Sequence, residues 1–267
     1  MGEPEVLLTI EDHVATLTLN RPRKGNSLTA TMNDELLRLL PELAANPDVR
    51  VLVLTGSGKF FCTGMDLSSA SGGGAEQAQQ GFDKGLKVFD AFYRFPKPTI
   101  ARVNGPALGG GVGLVFTTDI RVAVQDAYFA LTEVKRGIIP AIISQYIVPE
   151  IGSQRAREYM LTGRRVPAPE AAPFLSQVVP ADLLNEKVKT YIDMLVESAP
   201  GAMADIKQLV DAIATGADAG YAQRTQDAVR SAYLKMMQSD EAAYGIMSFL
   251  SKKKPDWNQF LKDKAKL

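Results

Sequence analysis

The chain has 267 residues with 30 basic and 30 acidic side chains, enough to bury a large core in one domain with a helical appendage. The balanced charge argues against nucleic acid or a membrane surface as principal partner, and no apolar run approaches the length that crosses a bilayer. Met1-Gly2-Glu3-Pro4-Glu5 lacks the apolar core of a secretory signal, and the lone cysteine, Cys62, excludes an intramolecular disulfide and suits a reducing compartment.

Taken in order, Val6 to Ile10 and His13 to Leu19 alternate apolar and polar residues around Glu11-Asp12, which predicts a hairpin with His13 at the surface. Leucines at helical spacing predict a helix over Leu28 to Ala44, capped by Thr29 or Thr31. The apolar strand Val51 to Leu54 runs into Phe60-Phe61-Cys62-Thr63-Gly64-Met65-Asp66-Leu67, a glycine-led turn offering main-chain N–H groups. Ser68 to Gln80, with Ser71-Gly72-Gly73-Gly74 inside it, reads as a low-complexity mobile loop. A helix around Phe82 to Tyr93 and a strand ending at Val103 lead to Asn104-Gly105-Pro106-Ala107-Leu108-Gly109-Gly110-Gly111-Val112-Gly113-Leu114. Here three consecutive glycines open an apolar helix from about Leu108 to Phe116. Strands near Ile120 to Val124 and Tyr128 to Leu131 follow. Beyond Ser144 helices dominate: Gln154 to Leu161, Ala168 to Leu175, Leu183 to Ser198, Ala202 to Ala214, Ala219 to Met237 and Glu241 to Ser251. Strand–helix alternation followed by helices predicts an α/β fold.

A strand-to-helix junction without side chains lets a ligand reach the main chain, and the first N–H groups of the helix are unpaired and partly positive. Such a junction can bind a phosphate or hold an oxygen that becomes negative during a reaction. Cys62 reads as a small buried residue, and no spacing of His, Cys, Asp or Glu suggests a metal site. Ser144, Gln145 and Tyr146 are further candidates to line a pocket.

The two glycine turns, with Asn20-Arg21-Pro22 before them and Thr132-Glu133-Val134 after them, resemble the crotonase (enoyl-CoA hydratase/isomerase) superfamily from about Leu7 to the lysine-rich C-terminal segment. The resemblance implies a spiral of ββα units over residues 1–200. A helical region over 201–267 would complete the CoA site and a homotrimer, or a dimer of trimers. It implies an acyl-CoA substrate with no separate cofactor, coenzyme A being part of the substrate. The N–H groups of Met65 and Gly110 would stabilise an enolate, and Glu133 would move protons. Arg23 and Lys24 would hold the pantetheine and phosphates, and Lys252 would reach a CoA phosphate from a neighbouring subunit. Gly64, Leu67, Gly109, Gly113 and Pro140 would complete the substrate site, with Asp66 capping the helix after its turn.

One departure matters. Gly113 stands where two-carboxylate hydratases carry a second glutamate, and the nearest acid, Asp119, lies farther along the chain. Superfamily members with only the later glutamate include 3-enoyl to 2-enoyl isomerases and dehydratases of 3-hydroxy-3-methylglutaryl thioesters. Gly110-Gly111-Val112-Gly113-Leu114 resembles the run in those dehydratases, and glycine at 113 is expected to leave room for a branched acyl chain. The resulting expectation is hydration or dehydration of the 2,3-bond, on a branched 3-hydroxy-3-methylacyl-CoA of the mevalonyl type. A double-bond isomerase and a non-catalytic acyl-CoA binder stand as alternatives. Ala265-Lys266-Leu267 resembles the Ser-Lys-Leu class of import signals, which implies a peroxisomal import receptor as partner and a peroxisomal location, as in fungal mevalonyl-CoA dehydrating enzymes; a cytoplasmic location is the alternative.

Overall fold

The computed structural model describes residues 3–67, 75–198, 200–214, 219–256, 259–260 and 263. Strands β1 (Val6–Glu11) and β2 (Val14–Leu19) form the expected hairpin, with Asp12 and His13 both at positive φ. That pair matches the two-residue turn whose twist suits a hairpin. Helix α1 (Ala30–Ala45) is capped by Thr29, whose hydroxyl accepts the Met32 N–H at 3.0 Å. Next come β3 (Val51–Gly56), α2 (Ala75–Tyr93), β4 (Thr99–Val103), β5 (Ala107–Leu108), α3 (Gly110–Phe116), β6 (Ile120–Val124) and β7 (Tyr128–Ala130).

Helix α2 begins seven residues before the expected start, so 75–80 is helical instead of loop. Ala75-Glu76-Gln77-Ala78-Gln79-Gln80 is rich in strong helix formers, which outweighs the low-complexity context. The remainder of that expected loop, 68–74, lies outside the described residues. Helix α4 (Ala141–Thr162) is also longer than expected and bends at Gly152, so Ser144, Gln145 and Tyr146 are helical. After it come β8 (Val166–Pro167), α5 (Ala168–Ala171), β9 (Gln177–Val179), α6 (Leu184–Glu197), α7 (Pro200–Ala214), α8 (Ala219–Met237) and α9 (Asp240–Leu250).

A six-stranded sheet in the order β1-β2-β3-β4-β6-β9 is parallel except for its opening hairpin. All six residues of β3 are buried, as expected of a parallel strand covered on both faces. A second sheet, β5-β7-β8, stands at the carboxyl ends of these strands. The main core runs along the large sheet and includes Phe61, Phe89, Phe92 and Ile100. A smaller core joins Phe82 of α2 to Tyr233 and Met236 of α8 and to Ile246 of α9, so these C-terminal helices fold back on their own chain. Ala265-Lys266-Leu267 lies outside the described residues.

Candidate active site

The loop that leads from β3 to the first glycine turn is held by two asparagines, Asn26 buried and Asn104 half-buried. Asn26, fully buried at φ 55°, donates from Nδ2 to the carbonyls of Ser57 (2.9 Å) and Phe60 (2.8 Å), while its Oδ1 accepts the Arg21 N–H at 2.9 Å. Asn104 accepts the Gly56 N–H at 3.1 Å and donates to the Gly58 carbonyl at 3.0 Å. Side-chain amides thus replace strand pairing and fix the loop after β3.

At the first turn, the Leu28 N–H donates to Gly64 (2.8 Å) and the Leu28 carbonyl accepts from Asp66 (2.9 Å). This pairing brackets Met65, whose N–H has no main-chain acceptor among the described residues. At the second turn, Gly109 takes φ 51° and ψ −122°, a conformation that side chains rarely permit. It directs its own N–H to Ala130 at 2.9 Å and leaves Gly110 as the first helical residue, again without a main-chain acceptor. The turns touch: a β-carbon on Gly64, itself at φ 88°, would stand 3.0 Å from the Gly110 nitrogen. Two N–H groups without a main-chain acceptor among the described residues therefore lie on adjacent turns, and both residues are in the wall of one cavity of about 350 Å³.

Glu133 opens a short 3₁₀ helix, Glu133–Arg136, and lies in the wall of the same cavity. Its Oε1 is 3.0 Å from where a Gly109 β-carbon would be, so the carboxyl lies against the second turn. Its Oε2 is buried without a hydrogen-bond partner. Burial pushes the carboxyl up to about 7, and a main-chain hydrogen bond and the Arg136 charge offset this only in part. At neutral pH such a group both accepts and returns a proton. Asp66 also reaches the cavity, but its carboxylate pairs with Arg21 Nη1 at 3.0 Å, and Arg21 Nε meets Glu5 at 3.2 Å. The residues that Asp66 was expected to cap fall within 68–74, outside the described set.

Lys24, Gly64, Leu67, Gly109 and Pro140 join Met65, Asp66, Gly110 and Glu133 in the cavity wall. Arg23 is exposed and is not part of the wall, nor is Lys252, which is exposed just beyond α9. Tyr146 packs instead between Phe89 and Tyr93, at 6.2 and 5.2 Å between ring centroids, and Ser144 and Gln145 are turned to their own helix carbonyls. The expectation for Gly113 needs correction. It is buried away from the cavity, and a β-carbon there would stand 2.3 Å from Ile143 Cγ2 and 2.9 Å from Phe89 Cε1. The missing glutamate leaves no room for a branched chain, because these two side chains fill the space.

Residues that pattern reading passed over include Asn26, Asn33, Arg136, Tyr233, Met236 and Phe249. Asn26 carried a faint signal, a turn-forming Gly25-Asn26 pair between a proline and a helix cap. The wall residues from α8 and α9 carried none, since only tertiary packing brings them to Glu133.

The enoyl-CoA hydratase/isomerase family pattern matches residues 9–261. The chain is 34% identical to an enoyl-CoA hydratase of Alternaria alternata over 247 residues, 91% of this chain and 80% of the relative. It is 31% identical to a carnitinyl-CoA dehydratase of Proteus mirabilis over 255 residues, covering 94% of this chain and 97% of the other. A crystal structure of an enoyl-CoA hydratase from Mycobacterium avium superposes with a TM-score of 0.83 at 29% identity, covering 96% of this chain and all 100% of that one. With nearly the whole chain matched and both turns opening on one cavity beside Glu133, the chain belongs to the enoyl-CoA hydratase/isomerase family.

Proposed function

We propose that the protein is a hydro-lyase that adds or removes water across the 2,3-bond of an acyl-CoA thioester. The observation that carries this reading is a desolvated carboxyl, Glu133, beside two N–H groups on adjacent turns that have no main-chain acceptor among the described residues. The thioester oxygen sits between the Met65 and Gly110 N–H groups. Glu133 takes the proton from C2, and the C–H electron pair moves onto the oxygen as an enolate. The carbonyl then re-forms, the bond from C3 to its hydroxyl breaks, and Glu133 returns its proton to the departing oxygen as water. Hydration is the reverse. Two fixed donors stabilise the enolate because they face the place where charge develops, with no reorganisation during the step.

The acyl chain is read as a branched 3-hydroxy-3-methyl type on the sequence resemblance of the Gly110-Gly111-Val112-Gly113-Leu114 run alone, since Ile143 and Phe89 fill the space at Gly113 and Ile142 that at Gly85. Isomerisation of a 3-enoyl thioester is the second reading, favoured by the side chains that exclude a second carboxylate at position 113. Mass spectrometry in deuterated water separates them. Water loss from 3-hydroxyacyl-CoA is the expected result. Conversion of 3-enoyl-CoA with hydrogen exchange alone would make the protein an isomerase, and binding without change in either would make it a carrier. The reading includes a homotrimer or dimer of trimers, for which the exposed Ile206, Leu209 and Val210 of α7 offer apolar surface. It also includes peroxisomal import through Ala265-Lys266-Leu267.

A further inference from the structure

The mechanism above gives Arg136 no part, yet it lines the cavity with Glu133. A 3₁₀ helix repeats every three residues, so side chains at i and i+3 eclipse and Arg136 shares a face with Glu133. No ion pair joins the two among the described residues, and Glu133 Oε2 and Arg136 Nε both lack a partner. The guanidinium is held elsewhere. Its Nη1 donates to the Thr132 carbonyl at 3.2 Å and to the Thr132 hydroxyl at 2.9 Å. Its Cζ lies 4.4 Å from the centroid of the Phe249 ring, near the end of α9.

Helix α9 reaches this place through a close main-chain contact. A β-carbon on Gly245 would stand 2.0 Å from the Arg136 carbonyl oxygen, so a side chain there would push the helix away. Phe249 follows Gly245 by one helical turn and shares its face of α9. The helix therefore meets the Arg136 main chain at one turn and the guanidinium at the next. Ala242 and Ile246 anchor the same helix in the smaller core with Tyr233 and Met236.

The distance at which this cation is held matters in both directions. In direct contact a guanidinium lowers a carboxyl by roughly one to three pH units, which would leave Glu133 a poor base. Without a cation, burial alone governs the carboxyl and keeps it protonated to higher pH. Between these extremes the group can take and return a proton near neutrality. The other charges nearby are differently engaged. Lys24, Asp66 and Tyr233 are also in the wall, Asp66 paired with Arg21, and Lys135 lies against Gly163. α9 meets the 3₁₀ helix through Gly245 and Phe249, and the α4 residues in the wall are Ala141, Ile142 and Ile143, none of them titratable. Arg136 is the charge that bears on Glu133.

We propose that α9 positions the Arg136 guanidinium near Glu133, close enough to act through its charge and restrained from pairing. Arg136 is thus a positioning residue, acting on substrate only through Glu133. The inference rests on the hydro-lyase reading for what Glu133 does and adds what tunes it.

The test is infrared titration of the Glu133 carboxyl in the full chain without substrate, isolated as the difference between each protein and its Glu133→Gln counterpart. Wild type is expected to titrate near pH 7. Arg136→Gln should raise that midpoint by roughly one pH unit, and Arg136→Lys, which keeps the charge, should restore most of it. Phe249→Leu should lower the midpoint, because a guanidinium released from the ring closes on the carboxylate. The same substitution should have no effect in Arg136→Gln. An unchanged midpoint in Arg136→Gln overturns the proposal. So does a Phe249→Leu midpoint that stays or rises, or that moves equally with and without the guanidinium, since α9 would then only cover the site. Phe249→Leu decides the matter alone if Arg136→Gln does not fold. The midpoint is read without turnover, so failure of the hydro-lyase reading shows separately, as the same midpoints with no water lost from any 3-hydroxy thioester.

Discussion

The cavity has two halves of different construction. Around Gly64 and Gly110 the wall is main chain, mounted on the buried sheet and fixed by Asn26 and Asn104. Around Glu133 and Arg136 it is side chain, covered by Tyr233, Met236 and Phe249 from helices that share a separate, smaller core. The first half is built for one task, holding an oxygen that gains charge. The second sets a proton affinity. The oxygen site is thus tied to the main chain of the large sheet, and the proton carrier to side chains covered by the C-terminal helices.

Three substitutions break or sharpen this contrast. Glu133→Gln removes the proton carrier but leaves the oxygen site, so turnover should fall about 10²- to 10⁴-fold with little change in KM, measured by loss of the conjugated thioester absorbance. In the wild type kcat/KM should rise through a midpoint near pH 7, where Glu133 ionises, and the variant should lack that limb. Stability carries the opposite sign. The folded carboxyl lies above its ordinary value, so its contribution is complete below pH 4.5 and is lost as pH rises through about 7. Glu133→Gln should therefore be more stable than wild type at pH 8 by up to about 3 kcal/mol, read as a higher melting temperature, and equally stable at pH 4.

Gly110→Pro attacks the main-chain half. Proline is tolerated at the first helical position, where it deletes an N–H that the helix does not use. A β-carbon there meets Leu28 at 3.4 Å and Gly64 at 3.5 Å, ordinary contact distances. The expected result is a drop in kcat of roughly 10²- to 10³-fold with a melting temperature close to wild type. A normal kcat would mean that this N–H does not face the reacting oxygen.

Gly113→Glu asks whether the halves can be made alike by adding a second acid. The packing around Ile143 and Phe89 predicts a loss of about 1–3 kcal/mol in denaturant titration and no gain in hydration rate. Adding Ile143→Ala should recover part of the loss by opening the space the new side chain needs.

The hairpin, the individual strands, a threonine cap at 29 or 31 and both glycine turns were legible in the sequence because each depends on neighbours a few residues away. The start of α2 was misread because glycine and serine next to it obscured a run of helix formers. Tyr146 is only a candidate to line the pocket in the sequence, because a side chain has no direction until its partners are known; Phe89 and Tyr93 supply that direction from α2. Glycine at 113 was read as vacancy, and only packing shows that Ile143 occupies it.

By itself, then, the chain's order of residues determined its repeating elements and the two side-chain-free junctions, since turn and period are local properties of the main chain. Tertiary structure alone decided that these junctions meet and that the Glu133 carboxyl is largely desolvated beside them. Desolvation and close approach depend on residues more than a hundred positions apart, such as Glu133 and Phe249, and no local pattern carries them.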